Sequence, residues 1–327
     1  MSEPDKPHIL GGTAIKPKER HGWERIRYIL HNPETGTILS RTPKSWALIT
    51  IFYLIYYTFL AAFWSLMMFV FWQTLDMATP KWIAEQSIIG TSPGLGLRPE
   101  QTDALIDSSM IFFNKDQRED SGNVAGWGGW SDRLEDFLGT YTNKGKQCSE
   151  TDKVESGSGE ACHFNLAALG PCNTKGHGYD IAQPCIFLKL NRIYGVSNDP
   201  YNDPEDLPEE MPANLKEHIK QQVNKDQVWV DCRGEYPADE EGMGNMAYYP
   251  PSRGFPAYYF PFENQEHYES PLVAVQFKNP NLGQLLHIEC RAWAKNINYD
   301  KRARMGISHF ELFVVDNTMA ENMAPAS

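Results

Sequence analysis

The sequence predicts a single-pass type II membrane protein, with one transmembrane α-helix followed by an extracellular, disulfide-braced β-sandwich carrying helical insertions. Three observations carry that expectation. No charged residue occurs between Trp46 and Trp72, basic residues crowd the segment before that run, and all six cysteines of the 327 residues follow it. The overall composition is that of a folded chain: 41% hydrophobic, 12% aromatic and 22% charged, which excludes wholesale disorder.

The uncharged run is 27 residues long. As a helix it measures about 40 Å, enough to cross a hydrocarbon core of about 30 Å with some tilt. A secretory signal is a poor reading, because 45 polar-rich residues precede the run and signal cores are shorter. Trp46 and Trp72 stand where interfacial aromatic belts belong. Residues 1–45 carry Lys6, Lys16, Lys18, Arg20, Arg25, Arg27, Arg41 and Lys44, whereas the twenty residues after Trp72 carry only Lys81. The positive-inside rule therefore places the N-terminus in the cytoplasm and residues 73–327 outside. The expected divisions are a cytoplasmic tail (1–45), a span (46–72) in the lipid bilayer and an exterior (73–327).

Cysteine placement is an independent indicator of sidedness. Cys148, Cys162, Cys172, Cys185, Cys232 and Cys290 all lie in the exterior, and an even number there reads as three disulfides. Spacing alone leaves fifteen pairings open. Zinc is the competing use, but no Cys-x-x-Cys pair occurs. The net charge of −12 excludes a nucleic-acid binder, which needs a basic footprint.

Within the exterior, residues 73–100 read as a membrane-proximal stalk rich in turn residues (Pro80, Gly90, Pro93, Gly94, Gly96 and Pro99). Ser131–Leu138 reads as a helix capped by Ser131. Residues 143–160 read as an exposed polar loop, Asp199–Pro212 as a solvated acidic loop, and Ala213–Val223 as a helix. Strand alternation marks Leu285–Trp293, where Leu286, Ile288, Cys290 and Ala292 share one face. The same pattern marks Phe310/Leu312/Val314 and Ile186/Leu188/Leu190, with Val228–Cys232 and Pro271–Phe277 as further strands.

Catalytic signatures are missing from the sequence. It holds no Gly-x-Ser-x-Gly elbow, no His-Glu-x-x-His pair, no phosphate-binding Gly-x-x-x-x-Gly-Lys loop and no Asp-x-Asp metal motif. His163, His177 and His287 read as surface or strand-face residues. Glu263, Glu266 and Glu269 fall in a Tyr/Pro-rich segment with no fixed frame for acid–base work. No catalytic, cofactor-binding or metal-ligating residue is assigned. What stands out instead is Tyr53 and Tyr57, four apart and so on one helix face, continued by Ala61 and Ser65. Phenol hydroxyls in hydrocarbon seek partners and small residues admit a neighbouring helix, so this stripe reads as a helix-docking face.

At these residues the chain resembles the beta subunits of the Na,K-ATPase family, over about residues 22–316. Trp23–Asn32, Arg41-Thr42 and Ser45-Trp46 resemble the family's cytoplasmic segment, and Phe52–Tyr57 its transmembrane Phe-Tyr-x-x-x-Tyr. Ser92–Leu95, Gly170-Pro171-Cys172, Pro184–Ile193, Pro271–Phe277 and Ile288–Ala292 fit its exterior motifs in order. The resemblance implies an immunoglobulin-like ectodomain with disulfides Cys148–Cys162, Cys172–Cys185 and Cys232–Cys290. It implies that Tyr53 and Tyr57 face a helix of a catalytic alpha subunit, and that Tyr258, Tyr259 and Phe260 contact it outside. It also implies that this chain holds no cofactor, that ATP, Mg²⁺ and transported ions belong to the alpha subunit, and that a small FXYD-type subunit is a further partner. The H,K-ATPase beta subunits share these motifs, and a pump-independent adhesion protein would use the same ectodomain. One departure is that no Asn-x-Ser/Thr sequon occurs.

Overall fold

A computed structural model of the chain describes residues 22–23, 26, 30–32, 36–39, 41–77, 79–100, 109–120, 125–149 and 161–323. Residues 1–21 of the expected tail and 150–160 of the expected polar loop lie outside these. The chain divides into two compact units, Met1–Leu75 and Asp76–Ser327.

In the first unit, strands β1 (His31–Asn32) and β2 (Thr37–Ile38) pair antiparallel ahead of helix α1 (Pro43–Gln73). Helix α1 starts where it does because Thr42 is extended and its side chain accepts from the Ser45 amide, while Pro43 takes the first-turn position that needs no donor. Trp46 Nε1 donates to the Ile38 carbonyl at 2.8 Å and ties the hairpin to the first turn. No glycine or proline interrupts the helix after Pro43. Its 31 residues span about 46 Å, and none of them is buried. A helix apolar all round belongs in a large core or a bilayer; with none of its residues buried, α1 is long and apolar enough to cross a membrane.

The second unit is β-rich. Its strands in chain order are β3 (Leu95–Arg98), β4 (Met110–Asn114), β5 (Cys185–Leu190), β6 (Gln227–Gly234), β7 (Met246–Tyr249), β8 (Gly254–Pro256), β9 (Val273–Phe277), β10 (Leu285–Trp293) and β11 (Ile307–Val315). Its helices are α2 (Gly128–Leu138), α3 (Ala213–Gln221), α4 (Pro237–Gly242) and α5 (Asn317–Met323). The strands form a five-stranded sheet ordered β4-β11-β10-β6-β8 and a four-stranded sheet ordered β3-β5-β9-β7. Every pairing is antiparallel except β4 with β11.

The two sheets share one core. Leu286, Ile288, Cys290 and Ala292 of β10 and Phe310, Leu312 and Val314 of β11 are all buried in it together with Ile186, Leu188, Val273 and Val275. Phe277 of β9 meets Phe310 of β11 edge-on at 6.1 Å. Strand β9 is buried at every position, because the segment Leu166–Asn173 lies against its other side. Gly170 lets the same segment approach the neighbouring strand β7: its φ is +53° and the Tyr249 ring stands 3.1 Å from where a Cβ would sit.

Three local readings change. Ser131 lies inside α2, buried, and the helix begins three residues earlier behind Trp127; Trp130 extends its apolar face and donates Nε1 to Phe112 O. The end of the turn-rich segment 73–100 forms β3, paired with β5 from Leu95↔Leu190 to Arg98↔Phe187. The acidic stretch Asp199–Pro212 is anchored as well as solvated. Trp229 of β6 donates its indole N–H to Tyr201 O at 3.0 Å, and Tyr201, Leu207 and Met211 pack with Leu215, Ile219, Trp229 and Trp293 in a second apolar cluster.

Candidate functional site

On α1, four-residue spacing stacks the Tyr53 and Tyr57 rings at 5.9 Å with planes 23° apart. The neighbouring column repeats this with Phe52 and Tyr56 at 6.2 Å, and Tyr56 meets Tyr57 edge-on at 5.3 Å. Tyr53 is 49% exposed and Tyr57 58%. Ala61 and Ser65 follow one and two turns on, also exposed. The result is a pre-formed aromatic ladder above a shallow strip of small side chains, a surface suited to another helix.

In the second unit, Tyr258, Tyr259 and Phe260 leave β8 through the single 3₁₀ turn Ala257–Tyr259. Tyr259 is buried and its hydroxyl donates to His163 O at 3.1 Å; burial pushes that phenol well above the ordinary tyrosine range. Its ring lies 4.7 Å from that of Tyr258 and 6.3 Å from Phe164. Tyr258 and Phe260 are half-buried. Of the three, Tyr259 is thus an internal post, and Tyr258 and Phe260 keep accessible ring surface.

A residue outside the expected contact set holds the backbone beside His163, on which Tyr259 rests. Glu269 is buried, and its carboxylate accepts from three backbone amides: Thr142 at 2.6 Å, Asn143 at 3.0 Å and Phe164 at 3.0 Å. Beside it the Tyr141 hydroxyl donates to Ser270 O at 3.0 Å. Arg192 donates to Ser270 Oγ at 3.1 Å and to Tyr268 O at 3.2 Å, with its guanidinium over the rings of Phe262 and Tyr268. Burial pushes Tyr268 up to about 12, against the pull of Arg192. Glu269 is a structural clamp; the frame that sequence reasoning did not find is made of amides more than a hundred residues away. No sequence motif marks it.

Three disulfides brace the domain. Cys148–Cys162 and Cys172–Cys185 close short loops, and Cys232–Cys290 joins directly opposed residues of β6 and β10 with Cα atoms 4.0 Å apart. One residue before that bridge, Asp231 is buried against Arg253. Burial raises its carboxyl above the ordinary range, with Arg253 pulling the other way. Arg253 in turn lies over the Tyr248 ring, whose hydroxyl accepts from the Cys232 amide at 3.0 Å.

A membrane-length aromatic helix ahead of a two-sheet domain with three disulfides is the frame in which the similarities to known proteins stand. The description of the sodium/potassium ATPase beta chain matches residues 16–310. The chain belongs to the sodium/potassium ATPase beta chain family. It is 39% identical over 313 residues to the sodium/potassium-transporting ATPase subunit beta-2 of Drosophila melanogaster, covering 91% of this chain and 94% of that one. To subunit beta-1 of the same organism it is 40% identical, covering 88% and 91%. To subunit beta-2 of Homo sapiens it is 30% identical, covering 85% and 89%. All three relatives are named as beta subunits of the sodium/potassium-transporting ATPase.

Proposed function

We propose that this chain is the non-catalytic beta subunit of a Na⁺/K⁺-transporting ATPase. It assembles with the catalytic alpha subunit, stabilises it, accompanies it to the plasma membrane and modulates extracellular K⁺ affinity. Residues 1–45 lie in the cytoplasm, 46–72 cross the bilayer, and 73–327 form an extracellular stalk and immunoglobulin-like domain. Catalysis resides in the alpha subunit; a small FXYD-type subunit is a further partner of the assembly. In the membrane the contact runs through Tyr53, Tyr57, Ala61 and Ser65. Outside, Tyr258 and Phe260 meet the alpha subunit while Tyr259 supports them from beneath.

The observation that carries the reading is the near end-to-end similarity to sodium/potassium-transporting ATPase beta subunits, 39% over 91% of the chain. Basic residues before α1 and cysteines after it support the orientation. The test is Tyr53→Ala with Tyr57→Ala, co-expressed with the alpha subunit. Two interhelical contacts of about 0.6 kcal/mol each amount to roughly a fivefold to tenfold shift in the K⁺ concentration for half-activation. An unshifted activation curve at normal surface expression would count against the assigned face.

A further inference from the structure

The outward face of the five-stranded sheet carries a group of side chains that the beta-subunit role does not use. Alternation along β10 sends Leu286 and Ile288 into the core and His287 outward; on β11 it sends Phe310 inward and His309 outward. The register sets His287 opposite Glu311 and Glu289 opposite His309. The two histidines are therefore diagonal neighbours, within side-chain reach across the pair, and their rings stack at 6.1 Å with planes 21° apart. From the other side of β10, Glu235 follows the last residue of β6 and donates its amide to His287 O at 2.9 Å. Three adjacent central strands thus bring one ligand each to a single point. The donor atoms of Glu235, His287 and His309 all lie within 4.8 Å of one another.

We propose that Glu235, His287 and His309 form a binding site for a divalent transition metal of the zinc class. Two imidazoles and one carboxylate are a donor set that suits zinc, copper or nickel and not calcium or magnesium, which prefer all-oxygen shells. Ligand atoms about 2.1 Å from a tetrahedral ion stand about 3.4 Å apart. His309 Nε2 and Glu235 Oε2 are already 3.1 Å apart, so closure requires chiefly a swing of His287, whose ring meets that of Tyr236 edge to face at 5.9 Å. Water completes the shell.

The surroundings fit a bound cation. When Nε2 of His309 ligates, its proton must reside on Nδ1, and Glu311 Oε1 faces that nitrogen at 3.8 Å, an ion-pair distance longer than a hydrogen bond. Glu311 is itself held by Ser109 Oγ, which donates to its other oxygen at 2.7 Å. A closing movement of under an ångström would complete the carboxylate–histidine–metal arrangement that fixes tautomer and ring orientation. Lys301 sits 3.1 Å from Glu235 Oε1, but it also lies 2.8 Å from Glu289 Oε2. It can therefore give up Glu235 without being stranded. Arg233 faces Glu289 at 3.2 Å, pointing its charge to the same carboxylate. Cys232–Cys290 cross-links β10, which carries His287, to β6, which ends one residue before Glu235, and β11 with His309 is paired to β10 over seven residues, so the site is built on a rigid part of the fold.

The experiment uses the full chain without an affinity tag, purified in mild detergent at pH 7.5. Titration with ZnCl₂ by calorimetry should give one tight equivalent that millimolar Ca²⁺ does not displace. One equivalent of Cu²⁺ should give an electron paramagnetic resonance spectrum with nitrogen couplings from two imidazoles. His287→Ala with His309→Ala should weaken zinc binding by about 100-fold or more, and Glu235→Gln by about tenfold. Protons compete for imidazole, so affinity should fall as the pH is lowered. The absence of a tight equivalent, unchanged binding in the folded double variant, or a wild-type copper spectrum without imidazole couplings would overturn the proposal. A wild-type copper spectrum without imidazole couplings overturns the proposal even if the double variant does not fold.

Discussion

Removing the Glu269 carboxylate tests whether one buried side chain holds together the backbone at Thr142, Asn143 and Phe164. Glu269→Ala leaves three amides without their acceptor. The Phe164 amide is buried, so its loss costs about 2 kcal/mol, while the part-buried Thr142 and Asn143 amides recover some solvation and cost about 1 kcal/mol each. The sum, about 4 kcal/mol, is a large share of a typical domain stability of about 5–15 kcal/mol. Glu269→Gln is the sharper perturbation, because it preserves size. Its single oxygen can serve Thr142 and Asn143 from the Oε1 position, but its amide nitrogen then points a donor at the Phe164 amide, so about 2–3 kcal/mol is still lost. Urea unfolding of the detergent-purified chain, followed by tryptophan fluorescence, should rank wild type above Gln above Ala. A Gln variant within about 0.5 kcal/mol of wild type would refute the clamp, since that is the range of ordinary surface substitutions.

Other expectations follow from the same packing. Cys232→Ser with Cys290→Ser should cost about 2–5 kcal/mol and hold the chain inside the secretory pathway; normal surface delivery would contradict the bracing role. Trp229→Ala empties the centre of the second apolar cluster and should cost about 3–5 kcal/mol. It should also speed proteolysis within residues 199–212, and an unchanged cleavage rate would show that the acidic stretch is held by something else. For Glu289, burial acts to raise the carboxyl, but hydrogen bonds from Lys301 and Arg233 outweigh it and the net shift is downward from 4.5. A lowered folded value means that this stabilisation is fully present above the ordinary glutamate range and is lost as pH falls through the folded value. Glu289→Gln should therefore lower stability at neutral pH and flatten its decline below about pH 4.5; an unchanged acid limb would contradict the ion-pair account.

What was legible in the sequence is what one-dimensional periodicity encodes. Leu285–Trp293 alternates because one face lies on the core, and β10 occupies that range. The uncharged run from Trp46 could only be a long apolar helix, and α1 covers it. Short elements escaped: β7 and β8 hold four and three residues beside Pro250 and Gly254, too few to show a period. Ser131 looked like a cap because a serine before an apolar face usually is one; tertiary burial of Trp130 extended the helix past it. Alternation sets Glu289 on the face of β10 opposite Ile288 and Cys290, yet it too is buried, covered by Arg233, Lys301 and Tyr299. Glu269 and the Glu235/His287/His309 group were illegible for a common reason. Their partners come from distant strands and loops, and only the folded register brings them together.

The central claim is that this chain serves an alpha subunit. The most direct measurement is purification of the chain from its native membranes in mild detergent, with mass spectrometry of what accompanies it. The account predicts a P-type ATPase catalytic subunit in equal amount, identifiable as the Na⁺/K⁺ pump. Recovery of the folded chain alone from the cell surface would contradict it.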